Sequence, residues 1–508
     1  MEIQIQKYND VWLDNGLATF TGFLQEVIDE DNSVLDLKIA DEAVCFKIQD
    51  QEAFVDTLSD IILSKLKQMI VLVEDKKTGE RKEVKKDYIL IQEGTKVEGR
   101  VVFKESVFQK EATRIVVQEI YNNLFGDKTV CFFCNRKFKK SIKKIQQASY
   151  PFVTKIQSLS GIRSGIENKL TEYISEYCPQ CYLNGIVEWL DDSMVYRSLP
   201  GDKSIIILPN TEKLDDLIRL KENYKSLLNN EARWSNIRID INKEDTENTP
   251  GRFTTFISFY ENFLRYIEPK FDNENWYIIE VPLRGSVKNP KYFNILINDK
   301  IARLLKILIR QQYAYFYRIF IKQFYAFHTD PKKGNRDFDR EKELHEQLCY
   351  SLLEDNFEKF AEAFIPRKGI RPGISKEAQE VLNKLIYYWR IDPMQIENKE
   401  DYLKTLGMAG STLARLIGGR LGLFFKLEKA TNPNQFFEAI QEISRRIMID
   451  DIPKIGTIYP HALEKISQMI LERYDHKDGK EFFATTKNIL LIYTSLRTKR
   501  ENQPSKEE

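Results

Sequence analysis

Three features of the sequence predict an α+β, multi-domain fold. β-branched runs recur through the first ~125 residues, two Cys-x-x-Cys pairs follow, and helical periodicity runs from 375 to about 498. At 508 residues the chain is longer than one hydrophobic core usually organises. Four segments are expected: a mixed α/β N-terminal domain at 1–126, a cysteine-bearing basic insertion at 127–200, a central α/β region at 201–365 and an all-helical C-terminal bundle at 375–508. Hydrophobic residues make up 42% and charged residues 30%, a globular rather than a disordered composition.

In the first segment, 69–73 and 88–91 are β-rich runs around a polar loop at 74–87, which predicts a hairpin with a charged tip. Residues 97–103 and 114–120 add alternating β-branched positions, so an antiparallel sheet is expected. Beyond the insertion, 204–208 and 276–281 suit buried strands, and 211–230 and 253–267 suit helices. Residues 301–327 form one long helix candidate, with Leu304, Leu305, Leu308, Phe316, Ile319 and Phe320 near helical spacing. No Asp or Glu lies between Lys300 and Thr329, which makes Arg303, Lys306 and Arg310 candidates for phosphate contact.

A basic Pro/Gly-rich junction at 366–373 marks a domain boundary. The tail then predicts helices at 378–389, 401–406, 413–427, 434–449, 462–474 and 483–496, short enough and close enough for a bundle. Residues 402–427 are again free of acid, and Arg415 and Arg420 are the nucleic-acid candidates there. Gly418, Gly419 and Gly422 fit either close helix packing or approach of a ligand.

The cysteines carry the strongest signal. Each Cys-x-x-Cys turns two sulfurs to one side, and Cys131, Cys134, Cys178 and Cys181 together supply the four-sulfur shell of a structural Zn²⁺ site. A lone pair beside a βαβ pattern would suit thiol exchange; two matched pairs do not. The 43 residues between Cys134 and Cys178 exceed a simple ribbon, so an inserted helical element is expected, with a short basic helix before Pro151. From 135 to 166 there is no acidic residue, and Arg136, Lys137, Lys139, Lys140, Lys143 and Lys144 are candidates for binding nucleic-acid phosphate. Cys45 and Cys349 suit buried small hydrophobes in a reducing cytoplasm. No signal-peptide profile and no run of ~18 apolar residues occurs, so a cytoplasmic chain without a membrane partner is expected.

Catalytic patterns are missing. Neither 126–129 nor 201–204 has the glycine spacing of a phosphate-cradling loop. His345-Glu346-Gln347-Leu348-Cys349 places a cysteine where a metalloprotease helix needs its second histidine, and a solvated helix face is expected instead. Asp191-Asp192 and Asp450-Asp451 suit surface groups or helix caps. A non-enzyme is the expectation.

A mixed N-terminal domain, the Cys-Phe-Phe-Cys-Asn and Cys-Pro-Gln-Cys pairs with their basic spacer, an aromatic-rich middle and a helical tail together resemble the large subunit of type I-B CRISPR effector (Cascade) complexes. The resemblance implies a non-catalytic subunit. Such a subunit sits at the 5′ end of a guide RNA, recognises the protospacer-adjacent motif in target double-stranded DNA and helps open the duplex. It also guides the displaced strand and helps recruit a helicase-nuclease. Base pairing reads the target while the protein reads the short motif and backbone shape. Backbone and small subunits would be partners, and the tail is similar to a small subunit, with Met394 and Met408 near its start. Only the four cysteines carry over position by position. The alternatives are a zinc-containing nucleic-acid-modifying enzyme and a zinc-ribbon adaptor that makes only protein contacts.

Overall fold

A computed structural model describes residues 1–65, 67–74, 81–88, 95–97, 100–102, 113–143, 149–150, 177–191, 195–199, 203–227, 251–266, 273–282, 291–329, 336–367, 369–418, 420–445 and 459–497. The fold is α+β and multi-domain, and the chain divides into two compact units. The first holds Met1–Arg252 and Tyr266–Leu296, the second Phe253–Arg265 and Ile297–Glu508. The expected central region at 201–365 is thus shared: its first strands and helix belong with the N-terminal half, and everything from Ile297 onward belongs with the helical tail. Among the described residues, no helix is long and apolar enough to cross a membrane.

In the first unit a three-stranded antiparallel sheet, ordered β1 (Glu2–Gln6), β3 (Ala43–Ile48), β2 (Leu35–Ala40), accompanies helix α1 (Val11–Glu30). Asp10 starts α1 by accepting the amides of Trp12 and Leu13 at 3.0 Å each. From Trp12 to Thr21 every position is buried, polar Asp14 and Asn15 included, so α1 is the axis of the unit and not an amphipathic surface helix. Helix α2 (Gln51–Ser64) packs on it. The predicted hairpin exists, as β4 (Lys67–Glu74) paired antiparallel with β5 (Arg81–Tyr88), but half of the expected polar tip is itself the second strand. Backbone pairing holds a strand whatever its charge, which composition alone does not reveal.

The 97–103 run is the short ribbon β6 (Thr95–Val97) with β7 (Arg100–Val102), and 114–120 is not a strand. It lies in helix α3 (Thr113–Asn123), which buries Thr113, Val117, Ile120 and Tyr121 at positions i, i+4, i+7 and i+8. One-sided burial at helical spacing outweighs the β preference of Val116 and Val117. The hairpin β8 (Thr129–Val130) with β9 (Lys137–Phe138) and helix α4 (Pro179–Val187) carry the cysteines. A four-stranded sheet runs β10 (Val195–Leu199), β11 (Lys203–Asn210), β12 (Asn273–Pro282), β13 (Lys291–Asn298). Ile205, Ile206, Ile207 and Leu208 are all buried, so β11 is covered on both faces. Helix α5 (Leu214–Leu227) follows β11 and packs on α1.

The second unit begins at α6 (Arg252–Tyr266) and α7 (Asp299–Gln312). The expected helix over 301–327 ends early. Tyr313 takes a left-handed conformation (φ 50°, ψ 26°), Phe316–Phe320 form a π-turn, and Phe324–His328 is strand β14. The 366–373 junction is not a linker either. Ile370–Ile374 is strand β15, paired antiparallel with β14, with Pro372 opposite Ala326. A two-stranded ribbon has edge positions on both strands, where proline's missing N–H is tolerated.

Helices α8 (Phe338–Leu353), α9 (Phe357–Glu362) and α10 (Lys376–Ile386) enclose an aromatic core of Phe316, Phe320, Phe324, Phe357, Phe360, Phe364 and Trp389. The His345–Cys349 stretch of α8 is packed and not solvated: His345 Nε2 lies 2.7 Å from the Phe324 carbonyl, Cys349 is fully buried, and Glu346 accepts from the amides of Phe253 and Thr254 at the start of α6. The tail is helical as expected: α11 (Lys399–Ile417), α12 (Leu421–Lys429), α13 (Pro433–Arg445), α14 (Pro460–Arg473) and α15 (Gly479–Arg497). Its break falls at left-handed Gly418, φ 53°, rather than at 407–412.

Candidate metal centre

Two local turns bring the sulfurs together. After β8 the chain turns tightly, with Asn135 N donating to Cys131 O (2.9 Å) and Cys131 N to Arg136 O (2.8 Å). Asn135 is left-handed (φ 57°), a conformation asparagine accepts more readily than most residues. On the other side, Cys178 caps α4, Pro179 occupies the first turn, and the Cys181 amide points at Cys178 Sγ (3.5 Å). The Cys178 amide donates to Cys131 Sγ at 3.2 Å and ties the two turns to each other.

The sulfur–sulfur distances are 3.6 Å for Cys131–Cys181, 3.6 Å for Cys134–Cys178 and 3.4 Å for Cys178–Cys181, and all four lie within 4.8 Å of one another. A disulfide would need about 2.05 Å, so these are four separate ligand atoms converging on one point. They could hold a metal ion. Cys131, Cys178 and Cys181 are buried and Cys134 half-buried. Burial pushes the Cys178 and Cys181 thiols well above their ordinary range, whereas the Cys134, Cys178 and Cys181 hydrogen bonds pull Cys131 down. Four thiolates packed this closely in a dry site repel one another, and a cation at their centre is what lets all of them ionise.

A polar chain braces the site. Gln180 Nε2 donates to Asn184 Oδ1 (2.8 Å), and Asn184 Nδ2 donates to the Tyr8 hydroxyl (2.9 Å), which lies 3.6 Å from Cys181 Sγ. As a thiol Cys181 donates to that hydroxyl; as a thiolate it could only accept, and the hydroxyl would then offer it a proton, the usual role of a group behind a metal ligand. Helix α4 is pressed onto α1: a Cβ on Gly16 would sit 2.1 Å from Asn184 O. Trp12 Nε1 donates to Ser149 O (3.1 Å) and Gly185 O (3.0 Å). Sequence reasoning missed Tyr8, Gln180 and Asn184; the one available signal is that Asn184 lies one helical turn after Cys181.

The basic candidates separate on inspection. Lys137, Lys139, Lys140 and Lys143 are exposed on or just after β9. Arg136 is half-buried, donates to Gln4 O and stacks 5.7 Å over Phe125, so it clamps the hairpin to β1. Lys144 and the expected short basic helix lie outside the described residues. In the second unit the acid-free window misleads. Arg303 pairs with Asp299 (2.6 Å), just upstream of it, and Lys300 pairs with Asp355 (2.9 Å). Lys306 is only 7% exposed, so it takes no part in a surface strip, whereas Arg310 is exposed. Arg415 is half-buried and Arg420 exposed at the start of α12.

Asp191 also departs from expectation. It is 5% exposed and sits 2.7 Å from Lys221 Nζ, which also meets Glu188 at 2.8 and 2.9 Å. No further group of metal-ligating side chains occurs among the described residues. The chain matches no family model, and no curated protein matches it either.

Proposed function

We propose that this chain is a zinc-stapled, non-catalytic nucleic-acid-binding subunit. One observation carries the reading: a four-sulfur cluster anchors the short hairpin from which Lys137, Lys139, Lys140 and Lys143 project into solvent. A sulfur tetrahedron with Zn–S bonds near 2.3 Å has edges of about 3.8 Å, close to three of the sulfur–sulfur distances here, 3.4 to 3.6 Å, with all four sulfurs within 4.8 Å. Four protein ligands close the shell, which suits an ion that builds structure and leaves no position for substrate. Fixed lysines beside it suit phosphate oxygens, which add affinity without reading sequence.

The resemblance to the large subunit of type I-B Cascade complexes gives this binding its biological form: guide RNA and target DNA as ligands, backbone and small subunits as neighbours, and strand cutting left to a recruited helicase-nuclease. The adaptor alternative draws on one observation of its own, the exposed Phe125, Val130 and Phe132 around the same hairpin.

Reversing Lys137, Lys139, Lys140 and Lys143 to Glu separates the two. Nucleic-acid binding should weaken, and the slope of log affinity against log salt should fall by up to about 3 to 4. An unchanged slope overturns the nucleic-acid reading and favours the adaptor. Co-purification with a guide RNA and backbone subunits tests the Cascade assignment, and a chain that binds nucleic acid but joins no such assembly would refute that finer part alone.

A further inference from the structure

The acid-free stretch after α7 holds an arrangement that its charge pattern alone does not disclose. Tyr313 ends the helix in a left-handed conformation that favours glycine or asparagine, yet the residue is 73% exposed. Burial then alternates: Ala314 and Phe316 are buried, Tyr315 and Tyr317 half-exposed. Phe316 and Phe320 anchor the segment in the aromatic core, their rings tilted 32° with centroids 5.3 Å apart. Glu261 of α6 fixes it from behind, accepting the Tyr317 amide at 2.8 Å; burial pushes this carboxyl up to about 7, against the pull of backbone amides.

Cations back the outward tyrosines. Arg318 lies 5.3 Å over the Tyr315 ring while donating to Asn262 Oδ1 (2.8 Å), and Lys322 lies 5.7 Å from the Tyr317 ring. Arg310 is exposed one turn before Tyr313. The acids at its borders are occupied: Glu261 is buried under the turn and Glu377 accepts from Gln323 (2.8 Å).

We propose that Tyr313, Tyr315 and Tyr317, with Arg318 and Lys322, form a stacking platform for single-stranded nucleic acid, a site separate from the cysteine hairpin. One exposed ring and two half-exposed rings beside cations suit unpaired bases joined by phosphates, because a base can stack on a side chain only when it has left its own duplex. Left-handed strain tolerated at an exposed tyrosine is explained if the ring is needed where it points. The inference rests on the nucleic-acid reading above and adds to it a second place of contact, with named residues that would hold the unpaired strand.

Anisotropy of the full chain with labelled oligothymidylate, and with a duplex of equal length, tests it. Tyr313→Gly removes the ring and relieves the left-handed backbone, so the melting temperature should hold or rise while single-strand affinity falls about 5- to 100-fold. Tyr313→Phe should bind like wild type, and duplex affinity should be unmoved by either. Arg318→Glu with Lys322→Glu should weaken single-strand binding and flatten its salt dependence. Unchanged single-strand affinity in Tyr313→Gly overturns the inference, as does an equal loss for duplex. Losing binding with the Lys137, Lys139, Lys140 and Lys143 reversal but not with Tyr313→Gly would leave the hairpin reading standing and this one refuted. A wild-type chain that binds neither oligonucleotide, or a Tyr313 dependence seen only for a protein partner, would also refute it.

Discussion

The first unit sets four sulfurs and a buried lysine with two carboxylates into a hydrophobic core built on Trp12, Phe20, Phe23 and Phe46, whereas the second closes around Phe316, Phe320, Phe324, Phe360, Phe364 and Trp389 and the tight seam between α11 and α15. Apolar packing of the second kind holds under any solution condition that leaves water a poor solvent for rings. Polar ties of the first kind are conditional. The sulfurs converge stably only around a cation, and buried carboxylates answer to pH. A chain built this way should lose stability in its first unit and keep it in its second when metal is withdrawn.

Metal removal is the strongest way to break the comparison. Structural Zn²⁺ in small sites contributes about 10 to 16 kcal/mol of apparent binding energy, as much as the whole stability of a typical domain. Chelation, or Cys178→Ser, should lower the calorimetric transition of the first unit and leave that of the second near its wild-type temperature. Four freely titrating thiols in a protein with both transitions intact would show that the cluster holds nothing.

The cysteines were legible because each pair is a four-residue local signal that needs no knowledge of the fold. What closes the site was not. Tyr8 arrives from the far end of the chain, and its alignment depends on Asn184, a contact across 176 residues. Asp191 illustrates the opposite failure: adjacent carboxylates are usually solvated, and nothing near Asp191 in sequence announces Lys221. At Tyr313 the helix stops without the glycine, asparagine or proline that marks such ends, so periodicity carried the expected helix on to Phe327. In α3 the reverse held, since Val116 and Val117 favour a strand while the spacing of Val117, Ile120 and Tyr121 fits a helix. The tail was easiest, its amphipathic helices being long and its turns short; only the break at Gly418 was displaced.

A smaller effect on the first unit acts through pH. Lys221 Nζ reaches Glu188, Asp191 (2.7 Å), Thr19 Oγ1 (2.9 Å) and Asn15 O (3.2 Å), and Thr19 Oγ1 donates to Glu188 Oε2 (2.7 Å). Burial opposes the Lys221 ammonium, but Asp191 and Glu188 outweigh it and raise its pKa. One lysine cannot neutralise both acids, and burial pushes Glu188 from 4.5 up to about 7, although Lys221 pulls it down. The folded state therefore keeps a proton that the unfolded chain has released. The stability this confers is fully present below pH 4.5, falls as pH rises toward 7 and stays lost above it, about 3 kcal/mol in all. Glu188→Gln should reduce the slope of the first unit, leaving the part that comes from Asp14, which burial also pushes up to about 7, and raise its stability at pH 8. A wild-type unit whose stability is flat from pH 5 to 7 would mean that Lys221 holds both acids ionised.

The least of these effects belongs to the second unit and decides whether its packing is as unconditional as its chemistry implies. Gly410 lies inside α11, where alanine is the better helix former by about 1 kcal/mol. A Cβ there, however, would stand 2.5 Å from Tyr493 Cβ and 3.3 Å from the Thr494 amide on α15. Neither neighbour can rotate aside, because both atoms are fixed to the α15 backbone, so α11 and α15 must separate. Separation loosens the contacts along that seam, where overpacking of this kind typically costs 1 to 3 kcal/mol. The clash outweighs the propensity gain, and Gly410→Ala should lower the second transition by about 1 kcal/mol while leaving the first untouched. A stabilised Gly410→Ala would mean that the helices part without loss, and that the second unit is held by its rings alone rather than by rings and a close helix seam together.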